Sequence, residues 1–95
     1  MREINKIIKE PGSKLIRVNC VVENGNIKSI KISGDFFAYP EETISGIESA
    51  LVGARAVPGE VEKIAETICR KLNAELYGIS PALIAKAFEG ETQWQ

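Results

Sequence analysis

Two alternating runs flank Asn24-Gly25, and together they force a β-hairpin on the first third of this chain. A type I′ turn needs positive φ at both central positions, and Asn-Gly adopts it most readily. Before the turn, residues 14–23 (KLIRVNCVVE) put Ile16, Val18, Cys20 and Val22 on one face, with Arg17, Asn19 and Glu23 on the other; Leu15 and Val21 are the exceptions. That is the pattern of a strand buried on one side. The return strand, Ile27 to Ser33, directs Ile30, Ile32 and Lys28 inward, and Ser29 and Lys31 outward. Ile27 is out of phase, which predicts an extra residue or a bulge at the turn. Residues 4–9 (INKIIK) read as a third strand, closed by the turn pair Pro11-Gly12.

After residue 40 the hydrophobic period changes from two to between three and four. Pro40-Glu41-Glu42 suits a helix start, since proline fits the first turn and acids complement the N-terminal dipole. Ile44, Ile47 and Leu51 then recur on one face, and Gly53 is the stop. Gly46 inside this helix costs about 1 kcal/mol against alanine, which predicts a close neighbour there. A linker, Ala54 to Gly59, leads to the most regular helix, whose stripe is Val61, Ile64, Ala65, Ile68, Cys69 and Leu72. Ser80-Pro81 is an N-cap followed by proline at the first helical position. Leu83, Ile84, Ala87 and Phe88 form the apolar face of this last short helix, and Gly90 ends it. The expected fold is α+β: a two-layer sandwich, with an antiparallel sheet of about three strands followed by two to three helices packed on one face. Residues 1–90 make one domain, and residues 91–95 (ETQWQ) a tail in which Trp94 is either a loose end or an anchor.

The charge balance narrows the function. Twelve basic against thirteen acidic residues give a formal charge of −1, which argues against nucleic-acid binding by phosphate neutralisation and against a polybasic membrane patch. No apolar run approaches the ~18 residues of a membrane span. The opening, MREINKIIKEPG, has scattered charges and no apolar segment, so a signal peptide is not expected and the chain reads as cytoplasmic. Histidine is absent, which removes the commonest general base and zinc ligand. Cys20 and Cys69 stand far apart in apolar-periodic stretches and read as buried, reduced, small hydrophobes.

Few residues suggest chemistry of their own. Pro11-Gly12-Ser13-Lys14 superficially resembles a phosphate loop, yet it leads into a strand, so no helix N-terminus follows to receive a phosphate. Glu41, Glu42, Glu60 and Glu62 are accounted for by the helix starts they occupy. Gly34-Asp35-Phe36-Phe37 is the densest unusual stretch. Gly34 ends a strand, where glycine permits positive φ or close backbone approach, and Asp35 can accept backbone N–H groups in the turn. Adjacent phenylalanines in extended backbone point opposite ways. Phe36 and Phe37 are therefore either two core anchors at an irregular crossing or an aromatic docking point beside a turn. Tyr77, before Gly78, is expected to pack.

Three stretches in order resemble the C-terminal accessory domain of lipoate–protein ligases: Lys9-Glu10-Pro11-Gly12-Ser13-Lys14-Leu15-Ile16, Ile30-Lys31-Ile32-Ser33-Gly34-Asp35-Phe36-Phe37, and Pro40-Glu41-Glu42 with the helix ending near Leu51-Val52-Gly53. Gly78-Ile79-Ser80 is a fourth, weaker piece, and the likeness spans about residues 5–90. The family's usual glycine-glycine-lysine has Ser13 at its second glycine here. Most such ligases carry the accessory domain behind a catalytic domain, and some archaeal forms split the two into separate chains. The resemblance implies the small subunit of such a bipartite ligase, working with a catalytic large subunit and indirectly with a lipoyl-acceptor domain. The implied reaction is ATP-dependent activation of lipoate to lipoyl-AMP, then transfer to an acceptor lysine. Catalytic residues would belong to the large chain. ATP, magnesium and lipoate would bind the assembled ligase, and this chain alone would hold no cofactor or metal. Gly12, Lys14, Gly34, Asp35, Phe36 and Phe37 are the residues expected to meet the partner or complete its active site, with both turns at one end of the domain. The family is also similar in fold to small sulfur-transfer and iron–sulfur scaffold proteins. A stand-alone protein of that kind is the alternative, and it needs an exposed, reactive cysteine.

Overall fold

The computed structural model describes residues 1–90. Three strands, β1 (Arg2–Ile8), β2 (Ile16–Glu23) and β3 (Asn26–Gly34), form one antiparallel sheet in that order. The β2–β3 turn is set by Asn24 (φ 56°) and Gly25 (φ 81°), the two positive values a type I′ turn requires. Ile16, Val18, Cys20 and Val22 are buried, while Arg17, Asn19 and Glu23 are exposed. The two open-face asparagines bond across the strands, Asn19 Nδ2 donating to Asn5 Oδ1 at 2.8 Å.

The out-of-phase Ile27 has a structural cause. Val22 pairs with Ile27 but Val21 pairs with Ser29, so Lys28 is an extra residue in a β-bulge. The bulge turns Ile27 into the core and corrects the expected inward Lys28: that side chain lies in solvent, 3.5 Å from Glu23. Ile32 is buried as expected, whereas Ile30 is only half-buried.

The first helix, α1 (Thr43–Leu51), begins later than expected. Residues 40–42 form a turn instead, closed by Thr43, whose N–H and Oγ1 both donate to the Pro40 carbonyl at 3.1 and 2.7 Å. Glu41 and Glu42 therefore precede the helix rather than fill its first turn. The second helix, α2 (Pro58–Leu72), starts inside the expected linker, because Pro58 takes the first helical position. It ends at Asn73 in the left-handed conformation (φ 52°). In α3 (Pro81–Lys86) the Ser80 hydroxyl accepts from the Leu83 N–H at 3.2 Å, the expected N-cap.

The helices cover one face of the sheet. Ile47 and Leu51 of α1, Val61 and Ala65 of α2, and Ile84, Ala87 and Phe88 at α3 join the strand residues in one core. Each such large side chain contributes roughly 1.5–3 kcal/mol when withdrawn from water. Gly46 meets α2 as expected, since a methyl there would stand 3.5 Å from Ile68. The free edge of β3 is sealed: Glu48 Oε2 accepts from the Ile32 N–H at 2.7 Å, and residues 53–56 bond to Gly25 and Ile27.

A second, two-stranded sheet, β4 (Phe37–Tyr39) with β5 (Glu75–Tyr77), has no counterpart among the alternating runs of the sequence. Strands of three residues carry too little periodicity to stand out from a loop. The tail 91–95, with Trp94, lies outside the described residues.

Candidate functional site

Three of the four family-like stretches, residues 9–16, 30–37 and 78–80, meet at one end of the molecule. The Pro11–Lys14 turn is closed by Ser13, whose N–H donates to the Glu10 carbonyl at 2.9 Å. Its hydroxyl accepts from the Glu10 N–H at 3.0 Å and reaches the same carbonyl at 3.0 Å. A glycine could supply only the first of these bonds, so Ser13 gives this turn a side-chain clasp. Lys9 Nζ adds a donor to the Ser13 carbonyl at 2.9 Å. Gly12 sits at the tip with φ 84°.

Beyond the turn, the backbone docks on two partners. The Lys14 N–H donates to the Gly78 carbonyl at 3.0 Å, and the Asp35 N–H donates to the Leu15 carbonyl at 3.0 Å. Both contacts depend on glycine. Gly34 (φ 149°) lies so close to Leu15 that a methyl group would overlap the Leu15 carbonyl oxygen. Gly78 (φ 83°) lies under the aliphatic stem of Lys14, and a methyl group there would overlap Cγ. Lys14 is thus laid across Gly78, while the residue as a whole stays exposed.

The paired phenylalanines divide as extended backbone requires. Phe36 packs against the core, and Phe37 is 58% exposed. Phe37 leans on Tyr77 across the small sheet, with ring centroids 5.9 Å apart and planes at 36°. Tyr77 is therefore not a packed interior residue; it is 54% exposed, and its hydroxyl donates to Glu75 Oε1 at 2.8 Å. That hydrogen bond, with the carboxylate charge, raises the phenol's pKa. Gly12, Lys14, Gly34, Asp35 and Phe37 are exposed at this end, with Phe36 beneath them. Tyr39 and Tyr77 share the small sheet with Phe37, and their only signal in the sequence is the short alternations Phe37-Ala38-Tyr39 and Glu75-Leu76-Tyr77.

Glu10 is spoken for, because Lys86 Nζ lies 3.1 Å from its Oε2. The same hydrogen bond to Glu10 is the main cause that raises the Lys86 pKa. The cysteines do not make a sulfur-acceptor site. Cys20 is buried in the sheet, and desolvation pushes its thiol up to about 11, far from the reactive thiolate. Cys69 is half-buried rather than fully buried, and its pKa is also raised, first by desolvation and then by Glu66. Among the described residues, no group of three His, Cys, Asp or Glu side chains could hold a metal ion, and no helix is long and apolar enough to cross a membrane.

Comparison with known proteins adds three findings. The family described as bacterial lipoate protein ligase C-terminus matches residues 15–88. A curated relative, lipoate-protein ligase A subunit 2 of Thermoplasma acidophilum, is 43% identical over 54 residues, or 57% of this chain and 52% of that protein. The match thus spans about half the length of that relative. Among solved structures, similarity extends to a chain from the bi-partite lipoate protein ligase and its E2 lipoyl domain, part of the lipoylation system of T. acidophilum. The TM-score is 0.79 at 28% identity, covering 93% of this chain and 96% of that one.

Proposed function

The chain belongs to the bacterial lipoate protein ligase C-terminus family, and from that membership we propose that it is the accessory small subunit of a two-chain lipoate–protein ligase. Near-complete mutual overlap with a chain of the bi-partite ligase structure carries this reading. In the proposal the chain by itself has no catalytic centre and binds no cofactor alone. It pairs as a heterodimer with a catalytic large subunit in the cytoplasm. The assembled ligase uses ATP, magnesium and lipoate to make lipoyl-AMP, and then modifies a lipoyl-acceptor domain.

Forming an acyl-adenylate requires a carboxylate nucleophile and an α-phosphate to be held in line, with water excluded. A small rigid body closing over the catalytic chain supplies both conditions. The end built from Gly12, Lys14, Gly34, Asp35, Phe36 and Phe37 suits that task. Two glycine-dependent contacts lock its turns, so it presents a preformed surface. Lys14 extends from that surface with its stem against Gly78, and in this reading its charge is offered to the pyrophosphate departing in the partner's site.

The test is reconstitution. This chain, a candidate catalytic chain from the same cell, ATP, magnesium and lipoate are combined, and pyrophosphate release is compared with that of each chain alone. Release at least tenfold faster from the mixture is expected. Equal release from the catalytic chain by itself would end the proposal.

A further inference from the structure

The β4–β5 sheet has an outward face built almost entirely of rings. Its register opposes Phe37 to Tyr77 and Tyr39 to Glu75, while Ala38 and Leu76 point into the molecule. Both tyrosines of the chain and one of its three phenylalanines therefore share this one small face. Phe37, Tyr39 and Tyr77 are 58, 61 and 54% exposed. Together they leave on the order of 300 Å² of aromatic surface in water, the scale at which a surface patch is usually functional. Glu75 stands among the rings, held by the Tyr77 hydroxyl at 2.8 Å, and among the described residues no cation pairs with it.

That single carboxylate selects the occupant. Two copies of this chain meeting face to face would bury Glu75 against rings without a counter-charge, which disfavours self-association. Glu41, also exposed, follows β4 and adds negative charge beside this face. A guanidinium fits instead. It can bond the Glu75 carboxylate through two N–H groups while its plane stacks on a neighbouring tyrosine. We propose that this face is the dock for the catalytic chain, seating an arginine-bearing apolar surface with the arginine between Glu75 and the tyrosine rings. The inference rests on the accessory-subunit reading and extends its partner-facing end from Phe37 to Tyr39, Glu75 and Tyr77. The rings would form the buried centre of a standard interface of roughly 800 Å² per partner, with Lys14 and the Gly12 turn at its rim toward the reacting groups.

Calorimetric titration of the catalytic chain with wild type, Tyr39→Ala and Glu75→Lys tests this. Both positions are exposed, so thermal unfolding of the two variants should match wild type. Each variant is expected to raise Kd at least tenfold, and Glu75→Gln should bind with a weaker dependence on salt. A wild-type complex that both substitutions leave within twofold overturns this dock and leaves the accessory role standing. No complex from wild type ends both. Sedimentation of the lone chain supplies another outcome: a dimer abolished by Tyr39→Ala would assign the face to a second copy and overturn the proposal.

Discussion

Gly34 and Gly46 are both glycines in regular elements, yet they obey opposite rules. Gly34 combines φ 149° with a methyl position inside the Leu15 carbonyl oxygen, so no side chain fits without moving backbone. Gly34→Ala should cost about 2 kcal/mol or more, lowering Tm by roughly 10 °C. Gly46 has ordinary helical φ and room for a methyl 3.5 Å from Ile68. Gly46→Ala should therefore stabilise the domain by about 0.5–1 kcal/mol, through helix propensity and unfolded-chain entropy. Urea unfolding of both variants checks the pair, and equal effects would contradict the contact geometry. The close neighbour at Gly46 was legible from the helical pattern. The need for glycine at Gly34 was also legible from its place at a strand end; the identity of the neighbour, Leu15, follows from the Ile16–Gly34 pairing across the hairpin.

At the scale of elements, the sheet is asymmetric in its edges. Glu48 reaches from α1 to accept the Ile32 N–H at 2.7 Å, which couples helix to strand through a charged hydrogen bond. Glu48→Ala should cost about 1–2 kcal/mol and speed exchange of the Ile32 amide, while Glu48→Gln should retain most of the protection. Amide exchange by NMR reads both, and unchanged exchange in the alanine variant would show that the bond does not hold the edge. Strands long enough to alternate were readable. β2 and the Asn24-Gly25 turn emerge as expected, and the bulge that returns Ile27 to the core was foreshadowed by its phase. Lys28 was misplaced because a bulge breaks the parity of every residue assigned beyond it. α1 was placed too early because the Pro40 carbonyl is captured by Thr43 in a turn.

For the molecule as a whole, the test case is Lys14, exposed but with a supported stem. Lys14→Met keeps the stem over Gly78 and removes the charge. In the reconstituted ligase it should slow lipoyl-AMP formation at least tenfold, while affinity for the catalytic chain stays within about twofold. Adenylation within twofold of wild type would confine Lys14 to packing. The converse pattern is expected of Tyr39→Ala, which weakens assembly. Lys14 and Tyr39 therefore separate closing over the active site from holding on to the partner.

Sequence alone determined the order of the main layers, because hydrophobic period is a local property: alternation commits the first third to strands, and the change of period announces the helices that cover one face, though not the short strands β4 and β5. It also singled out the Gly12 and Gly34 turns through their glycines and their family resemblance. Only tertiary structure decided which contacts join these turns. Lys14 on Gly78, Asp35 on Leu15 and Phe37 on Tyr77 are contacts between residues up to sixty-four positions apart. Local patterning carries no record of the contacts to Tyr77 and Gly78, since they arise when the helices bring β5 back beside β4, whereas the Asp35–Leu15 contact closes the β2–β3 hairpin.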